Sequence, residues 1–532
     1  MSSTTFDYIV VGGGTAGCVL AARLSEDANT RVLMLEAGHE GKGLLYDMPA
    51  GTYPLMGNPK AEWIYPLQPD PSALGRVNYW FGGKVLGGSS GVNGMVYIRG
   101  QRGDYDAWRD GGCAGWGFDD LYPYFLKSEK FEGPPRPHHG TDGPQSVSPP
   151  CIVHPLARPF LDAAGQCGMP PREDYCNGDL AGSFLVWGTT RNGRRCSTRK
   201  AYIDPIVRRG NLTIVQHAVV DRICFDGRRA VGVEALVAGE SQRFSARNEV
   251  LVCGGSLASP TILMRSGIGP GAQLQALGID VLADLPVGQN LQEHCGSVQS
   301  RRVNVPTYNT QIGPLQLPGH LFRYFTARKG ILTSIAVHAM AYIRTDPQLP
   351  EPDLAFNMIP LAIDFVGGSP AMAKQPGITI GPQLIQPKSR GQLRLRDADV
   401  HSLPIIDHAL LQHPDDLTLL IRGSRIVVDI FAAPALRPYV TGNGSPATLP
   451  QTDSEWETYL RQSVGAGYHP VGTCRMGSDD RAVVDPQLRV RGVQGLRVVD
   501  ASIMPTIISG NTNAPTIAIA EKAADLIRGK AA

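Results

Sequence analysis

Near the C-terminal end of the chain, a histidine stands between a tyrosine and a proline in the stretch GYHPVGTCRMG, residues 467–477. Because a residue before proline is kept out of the helical region, Pro470 favours an extended backbone at His469. The neighbouring glycines allow such a loop to pass close to a bound group. An imidazole with the ordinary pKa of about 6.5 is mostly neutral at neutral pH and can accept a proton. His469 is therefore a candidate general base, and the alternative is an ordinary loop histidine in a turn.

A second candidate site lies at the N-terminal end, in the sequence FDYIVVGGGTAGCVLAARLSE. Gly12, Gly14 and Gly17 follow the spacing G-x-G-x-x-G between an apolar strand and an Ala/Leu-rich helix. These glycines allow a tight turn, close approach of the backbone to a pyrophosphate, and close packing of the helix on the sheet. Glu36, at the end of the next strand, can accept hydrogen bonds from a ribose diol and would repel a 2′-phosphate. We expect a dinucleotide site here, and a glycine turn without a ligand is the alternative.

FAD and NAD both fit this motif. No second G-x-G-x-x-G with a strand and a helix around it occurs in the sequence. A flavoprotein with two dinucleotide sites, reduced by a nicotinamide, is therefore not expected. Instead, residues 82–100 read GGKVLGGSSGVNGMVYIRG, which is a poor helix or strand but a good backbone cradle for a flat, polar ring. The alternative for this segment is a flexible surface loop.

The chain ends in an Ala-rich segment that predicts a helix. Pro515 falls in its first turn, where the missing N–H of proline costs little. Thr512 and Asn513 stand at the positive end of this helix, which suits an anionic group. The alternative is that one of them is only the helix cap.

Composition limits the possible functions. The 532 residues are too many for one ordinary domain, and two or more are expected. With 50 Lys and Arg against 48 Asp and Glu, neither nucleic acid nor an anionic membrane is predicted as the main partner. No apolar run long enough to span a membrane and no signal-peptide pattern is seen, so we expect a soluble, cytoplasmic protein.

Neither the cysteines nor the histidines predict a metal site. The ten cysteines are scattered without a C-x-x-C pair, and reduced thiols are expected. His138 and His139 lie in a Pro/Gly-rich stretch, residues 133–155, with no partner at ligand spacing. We interpret them as loop residues and expect no metal.

These motifs together resemble the glucose–methanol–choline (GMC) oxidoreductases, a family of flavoenzymes. The two family signatures are similar to GKVLGGSSGVNGMVYIRGQRGDYD, residues 83–106, and to GSLASPTILMRSGIG, residues 255–269. Further family segments are similar to LPVGQNLQEH, to HPVGTCRMG and to VVDASIMPTIISGNTNAPTIAIAEKAADLI. The resemblance covers nearly the whole chain, and it is strongest to the branch of choline dehydrogenases and hydroxymethylfurfural oxidases.

The resemblance implies an α/β fold (α+β overall), in which a Rossmann-like FAD-binding domain is interleaved with a substrate-binding domain that contains an antiparallel sheet. The FAD-binding domain is expected to comprise residues 1–152, 201–294 and 464–532. The substrate-binding domain is expected to comprise residues 153–200 and 295–463.

The family pattern also implies individual FAD contacts. The glycine turn with Thr15 and Ala16 would bind the pyrophosphate, and Glu36 the ribose. Positions along the flavin, its tail and the adenine would be Val85, Ser89, Asn93, Gly94, Val96, Val220, Asp500, Ala501 and Thr512. Some relatives attach FAD covalently through a histidine just before the motif's asparagine. Val92 stands there and has no nucleophile, so non-covalent FAD is expected.

The activity implied is oxidation of an alcohol to a carbonyl compound, with a small-molecule alcohol as substrate and oxygen or another electron acceptor as partner. His469 would take the hydroxyl proton, and the resemblance places Asn513 beside it over the flavin. The alternative is a hydroxynitrile lyase-like enzyme that keeps FAD without redox turnover.

The substrate itself is less well indicated. Tyr468 and the apolar run of residues 330–343 suggest a largely apolar pocket for a primary alcohol, with an aryl or furan ring. Choline is less well supported, because we identify no carboxylate in the sequence that is placed to hold its ammonium group. His338 and Asn357 lie in segments near this pocket, and we interpret both as core or loop residues.

Overall fold

The first strand of the chain belongs to a seven-stranded sheet. The structure is a computed structural model that describes residues 5–366 and 369–530. Five strands run parallel, in the order Leu212–Val215, Val32–Leu35, Thr5–Val11, Glu240–Val252 and Leu496–Val498. The long strand Glu240–Val252 continues into an antiparallel meander with Arg229–Val237 and Ala218–Asp226. Val32–Leu35 is buried along its whole length, as expected for a parallel strand that is covered on both faces.

Helices with small residues cover this sheet. Thr15–Leu24 packs against Asn513–Ile527, which in turn packs against Phe118–Ser128. The alanines and glycine of Thr15–Leu24 are buried and let the helices approach closely. The contact is closed by a salt bridge of 2.8 Å between Arg23 and the fully buried Glu521. The C-terminal helix is thereby fixed beside the first glycine turn.

A second, eight-stranded sheet is antiparallel throughout its described pairs. Its main path runs Val440–Asn443, Gln299–Val303, Gly377–Leu384, Leu354–Ile359, Ala339–Ile343 and Gly182–Leu185, and Cys295–Gly296 and Gly465–Ala466 extend it. The helices Pro414–Ala432 and Ala157–Gln166 pack on it. An apolar core separate from that of the first sheet lies between them. The α/β fold with an antiparallel second sheet is therefore confirmed.

Smaller elements complete the architecture. Further helices are Leu44–Asp47, Thr52–Leu55, Arg102–Asp110, Gly255–Arg265, Gly271–Ala276, Tyr308–Gln311, Leu317–Ala327 and Asp453–Ser463. Two-stranded pairs are Glu62–Pro66 with Tyr79–Gly83, Glu129–Phe131 with Gln145–Val147, Thr190–Arg191 with Arg194–Arg195, Ile268–Gly269 with Ala283–Asp284, Ile363–Val366 with Ser369–Met372, and Gln392–Arg394 with Ile405–Asp407. In the described ranges, no helix is both long and apolar enough to cross a membrane. The domain boundaries given above stay a prediction.

Candidate functional site

The turn between Thr5–Val11 and Thr15–Leu24 has room only for glycine at two of its motif positions. Gly12 has a φ of +103°, and a Cβ there would lie 2.6 Å from the Cys253 carbonyl oxygen. A Cβ on Gly17 would lie 1.9 Å from the Gly12 carbonyl oxygen. The helix begins at Thr15 and Ala16 after Gly14, which offers no side chain to cap it. Its first backbone N–H groups therefore suit a phosphate ligand.

Glu36 lies directly after strand Val32–Leu35 and faces this turn. Its carboxylate accepts hydrogen bonds from the backbone N–H of Gly13 at 2.9 Å and of Gly38 at 2.7 Å. These two hydrogen bonds lower the pKa of Glu36, but burial has the larger effect and raises it to about 7. Further hydrogen bonds from hydroxyl groups would stabilise the charged form of this buried carboxylate. The site therefore fits the ribose hydroxyls of a dinucleotide.

The second glycine-rich segment lies against the first. Gly88, in the short 3-10 helix Gly88–Gly91, has a φ of +53°, and a Cβ on it would lie 2.7 Å from the Gly14 Cα. Val85, which precedes this helix, is fully buried. Ser89 Oγ accepts a hydrogen bond from the Gly83 N–H at 3.1 Å. The two segments thus face each other as bare backbone, as a cofactor cradle requires.

A buried arginine that was not identified from the sequence holds the next part of this loop. Arg195 donates to the Asn93 carbonyl at 2.6 Å, to Asn93 Oδ1 at 2.9 Å and to Thr52 Oγ1 at 2.7 Å. Burial lowers the pKa of Arg195 to about 9, and no carboxylate among the described residues pairs with it. After Asn93 in the chain, a Cβ on Gly94 would lie 2.8 Å from the Ala336 Cβ. The backbone of Val96 forms an isolated antiparallel β-bridge with Gly188. Asn93 is therefore rigidly placed.

Asp500 organises the other side of the cradle. Its Oδ2 accepts from Ser259 Oγ at 2.6 Å and from the Gly255 N–H at 2.8 Å, and its Oδ1 accepts from the Ser502 N–H. Ala501 begins the 3-10 helix Ala501–Ile503. Val220 is a buried residue of strand Ala218–Asp226, and its role beside the adenine stays a prediction.

The structure corrects the placement of Asn513. Asn513 is the first residue of helix Asn513–Ile527, and its Oδ1 accepts a hydrogen bond from Thr15 Oγ1 at 2.9 Å, so it faces the first glycine turn. Thr512 is the N-cap and makes no side-chain capping bond. The asparagine beside His469 is Asn511, whose Nδ2 lies 2.8 Å from His469 Nε2. Because Asn511 precedes the helix, its side chain leaves the backbone in a different direction from that of Asn513.

His469 is fixed by its backbone and by both ring nitrogens. Its N–H donates to the Glu293 carboxylate at 2.7 and 2.9 Å, and Tyr468 before it has a φ of +63°. Its Nδ1 lies 3.0 Å from His294 Nδ1. Neither His294 nor Glu293 was assigned a role from the sequence, although both end the family-like segment LPVGQNLQEH.

The hydrogen bonds of His294 determine the tautomer of His469. His294 Nε2 lies 3.0 Å from the Ile385 carbonyl oxygen and 2.9 Å from that of Ile508, so this nitrogen must carry a proton. In a neutral imidazole, His294 Nδ1 is then an acceptor. His469 Nδ1 must donate to it, which leaves the lone pair of His469 on Nε2, the nitrogen next to Asn511.

Burial keeps both imidazoles neutral. It lowers the pKa of His469 well below the usual range, and the neighbouring His294 adds to this shift. Burial also lowers the pKa of His294 to about 4. The arrangement can therefore accept one proton at a defined atom, His469 Nε2, near neutral pH.

Aromatic rings and amides surround this base. The rings of Tyr468 and Phe81 lie 5.6 Å apart, and Asn357 Nδ2 donates to Gln383 Oε1 at 2.7 Å. A Cβ on Gly467 would lie 3.0 Å from Gln383 Nε2 and also 3.0 Å from His469 Nδ1. The Gln383 amide and the His469 ring therefore lie on the same side of Gly467. His338 is instead buried and bonded to Ser334 Oγ at 2.6 Å, as a core residue.

Comparisons with known proteins decide the family. Residues 6–296 match the N-terminal part of the GMC oxidoreductases, and residues 387–520 match the C-terminal part. The chain belongs to the GMC oxidoreductase family. It is 41% identical to an oxygen-dependent choline dehydrogenase from Ectopseudomonas mendocina, over 99% of this chain and 95% of that protein.

Solved structures of this GMC oxidoreductase's relatives agree with the fold. Pyridoxine 4-oxidase from Mesorbium loti has a TM-score of 0.89 at 32% identity and covers 98% of each chain. Formate oxidase from Aspergillus oryzae RIB40, in a variant structure, has a TM-score of 0.93 at 27% identity and covers 100% of this chain and 99% of its own. The protein is an FAD-dependent oxidoreductase that acts on CH–OH groups. Nothing in these comparisons supports the lyase alternative.

Proposed function

We propose that the protein oxidises a primary alcohol to an aldehyde, with His469 as the general base and Asn511 as the partner of the substrate oxygen. The observation that carries this proposal is the unprotonated Nε2 of His469, which the hydrogen bonds of His294 leave as an acceptor and to which the Asn511 amide donates at 2.8 Å. A base and a hydrogen-bond donor that converge on one point suit the oxygen of an alcohol.

Each residue has a separate task in this mechanism. The substrate hydroxyl donates its proton to His469 Nε2, and the Asn511 amide donates a hydrogen bond to the same oxygen. His294 Nδ1 accepts from His469 Nδ1–H and so prevents the ring from turning. Glu293 fixes the backbone of His469, because both of its carboxylate oxygens accept from the His469 N–H in a bifurcated hydrogen bond. FAD, when bound, supplies the acceptor for the hydride of the α-carbon.

The surroundings of His469 favour an uncharged aryl or heteroaryl alcohol. The Tyr468–Phe81 pair offers flat apolar surface, and Gln383 offers an amide donor. Glu293 is 4% exposed, and both of its carboxylate oxygens accept from the His469 N–H, so it does not face an ammonium group. Pyridoxine, named for one relative, is a heteroaryl alcohol, whereas choline, named for another, carries a quaternary ammonium.

An anaerobic alcohol panel tests the reaction and the substrate class together. The holoenzyme is mixed without oxygen with benzyl alcohol, hydroxymethylfurfural or choline, and loss of the yellow flavin absorbance is followed. We expect fast bleaching by the two ring alcohols and slow bleaching by choline. The matched control is 2-phenyl-2-propanol, which has no α-hydrogen and should not bleach the enzyme. If no primary alcohol bleaches it, the proposed reaction is wrong, and if choline is fastest, the substrate class is wrong.

We also propose that FAD is held without a covalent bond. Val92 is 5% exposed, precedes Asn93 in the cradle and has no nucleophilic atom. Acid precipitation should leave the yellow colour in the supernatant. Colour retained in the protein pellet would overturn this proposal.

A further inference from the structure

A second buried histidine lies outside the site described above, in the loop that follows strand Glu129–Phe131. The side chain of His139 is 1% exposed and is held between the rings of Phe131, stacked at 4.0 Å, and Trp187, edge-on at 4.6 Å. Its Nδ1 lies 2.9 Å from Glu129 Oε1. The orientation of the imidazole is therefore fixed before any ligand arrives.

The other nitrogen of this ring faces two groups that can bind a metal. His139 Nε2 is buried and has no hydrogen-bond partner among the described residues. One ligand atom each of His139, Asp174 and Cys176 lie within 4.8 Å of one another, and the distance from His139 Nε2 to Asp174 Oδ2 is 3.5 Å. Asp174 Oδ1 already accepts from the Cys176 N–H at 2.8 Å, which leaves Oδ2 directed at His139.

We propose that His139 Nε2, Asp174 Oδ2 and Cys176 Sγ bind one divalent transition-metal ion, with Zn²⁺ as the preferred ion. Bonds of about 2.0–2.3 Å in a tetrahedral site place such ligand atoms roughly 3.3–3.6 Å apart. The observed 3.5 Å between nitrogen and oxygen fits this spacing and is long for a direct hydrogen bond. Asp174 is half-buried, so the metal can enter from its side and keep a water as fourth ligand.

Glu129 supports the site without being a ligand. Its Oε2 accepts from Arg99 at 2.5 Å and from the Gly140 N–H at 2.9 Å, and its Oε1 faces His139 Nδ1. A carboxylate behind a metal-binding histidine fixes the tautomer that leaves Nε2 free. In the loaded cluster, the charges of two carboxylates and a thiolate are balanced by those of the metal and Arg99.

This proposal departs from the sequence-based interpretation of His138 and His139 as loop residues that bind no metal. His139 lies in a loop, but it is buried, and its partners come from a segment that begins at Asp174. His138, by contrast, has its hydrogen bond with Tyr122 OH, at 3.0 Å. The bound ion would join the segment around residues 129–147 to the segment around residues 174–187. Its role would be structural.

Metal binding to the FAD-loaded enzyme tests the proposal. After dialysis against a chelator, Zn²⁺ is added, excess is removed, and metal per chain is measured by mass spectrometry. Co²⁺ is added in a parallel sample, because a thiolate-bound tetrahedral Co²⁺ absorbs at longer wavelengths than flavin. The variants are Cys176→Ser and Asp174→Asn, and the matched controls are the exposed Cys151→Ser and the neighbouring His138→Gln.

We expect one Zn²⁺ per chain and a Co²⁺ absorbance band in the wild type and in both controls. Cys176→Ser should lose the band, and Asp174→Asn should bind at least tenfold more weakly. Zn²⁺ should also raise the melting temperature of the wild type but not of Cys176→Ser. If Cys176→Ser does not fold, Asp174→Asn decides the outcome. The proposal is overturned if the wild type binds no stoichiometric metal, or if the folded variants bind it like the controls, and neither result affects the proposed alcohol oxidation.

Discussion

Two buried histidine sites of this protein place the same side chain in opposite electrostatic surroundings. The ring of His469 meets another histidine and an amide, and burial lowers its pKa well below the usual range. Burial alone would lower the pKa of His139 too, but the carboxylates of Asp174 and Glu129 outweigh it and the pKa rises. The first site keeps a neutral imidazole that can take up one proton. The second surrounds the imidazole with negative charge and suits a cation, so the neighbours decide the chemistry of each buried histidine.

The largest expected effect comes from removal of the proposed base. His469→Ala should keep its FAD and reduce the rate of flavin reduction by about 10²- to 10⁴-fold, because the variant lacks the imidazole that accepts the hydroxyl proton. The measurement is anaerobic stopped-flow reduction of the bound flavin by a good alcohol. His139→Gln is the matched variant from the other site and should reduce flavin at the wild-type rate. An unchanged rate in His469→Ala would mean that this residue is only a loop histidine.

The next effect concerns the residue that orients the base. His294→Leu leaves His469 Nδ1–H without its acceptor, and an unpaired buried group costs about 1–3 kcal/mol. We therefore expect roughly a 5- to 150-fold slower flavin reduction. His294→Asn, whose Oδ1 can stand where Nδ1 was, should restore part of the rate. Equal losses in both variants, at equal thermal stability, would show that His294 is a packing residue only.

A smaller effect separates the two asparagines. Asn511→Ala should slow flavin reduction by about tenfold, the value of one lost hydrogen bond of roughly 1.4 kcal/mol to a reacting oxygen. Asn513→Ala should instead leave the reduction rate nearly unchanged and weaken FAD retention, because its contact is with Thr15 at the glycine turn. Flavin content after gel filtration and stopped-flow rates are measured on both variants. The reverse pattern would support the placement of Asn513 beside the base.

The smallest expected effect concerns pH. The rate of flavin reduction should not change in the pH range where an exposed histidine would titrate. Since the pKa of His469 is lowered, its imidazole remains neutral as the pH falls through about 6.5. The rate of flavin reduction at saturating alcohol should therefore be constant there and decrease only at lower pH, where Nε2 becomes protonated. A decrease centred at about 6.5 would contradict the lowered pKa. His469→Ala, which lacks the group, should show no such acidic decrease.

The first glycine turn was predictable because its determinants are contiguous in the sequence. The strand, the G-x-G-x-x-G spacing, the helix and Glu36 lie within residues 5–36, and the conformation of each follows from local sterics. The backbone φ of Gly12 and the close approach at Gly17 agree with this prediction. His469 was singled out for the same reason, since Pro470 and the nearby glycines restrict its backbone locally, and its role as the base stays a proposal.

The partners of these residues were decided only by the tertiary structure. Asn511 and Asn513 are two positions apart at the start of a helix, and their side chains diverge because one precedes the helix and the other begins it. His294 meets His469 from 175 residues away along the chain, and its tautomer depends on two backbone carbonyls from other segments. Likewise, His139 gains Asp174 and Cys176 only when their loops pack together. Spacing in a sequence fixes a turn or a helix start, whereas the direction of a loop side chain depends on the packing of distant segments around it.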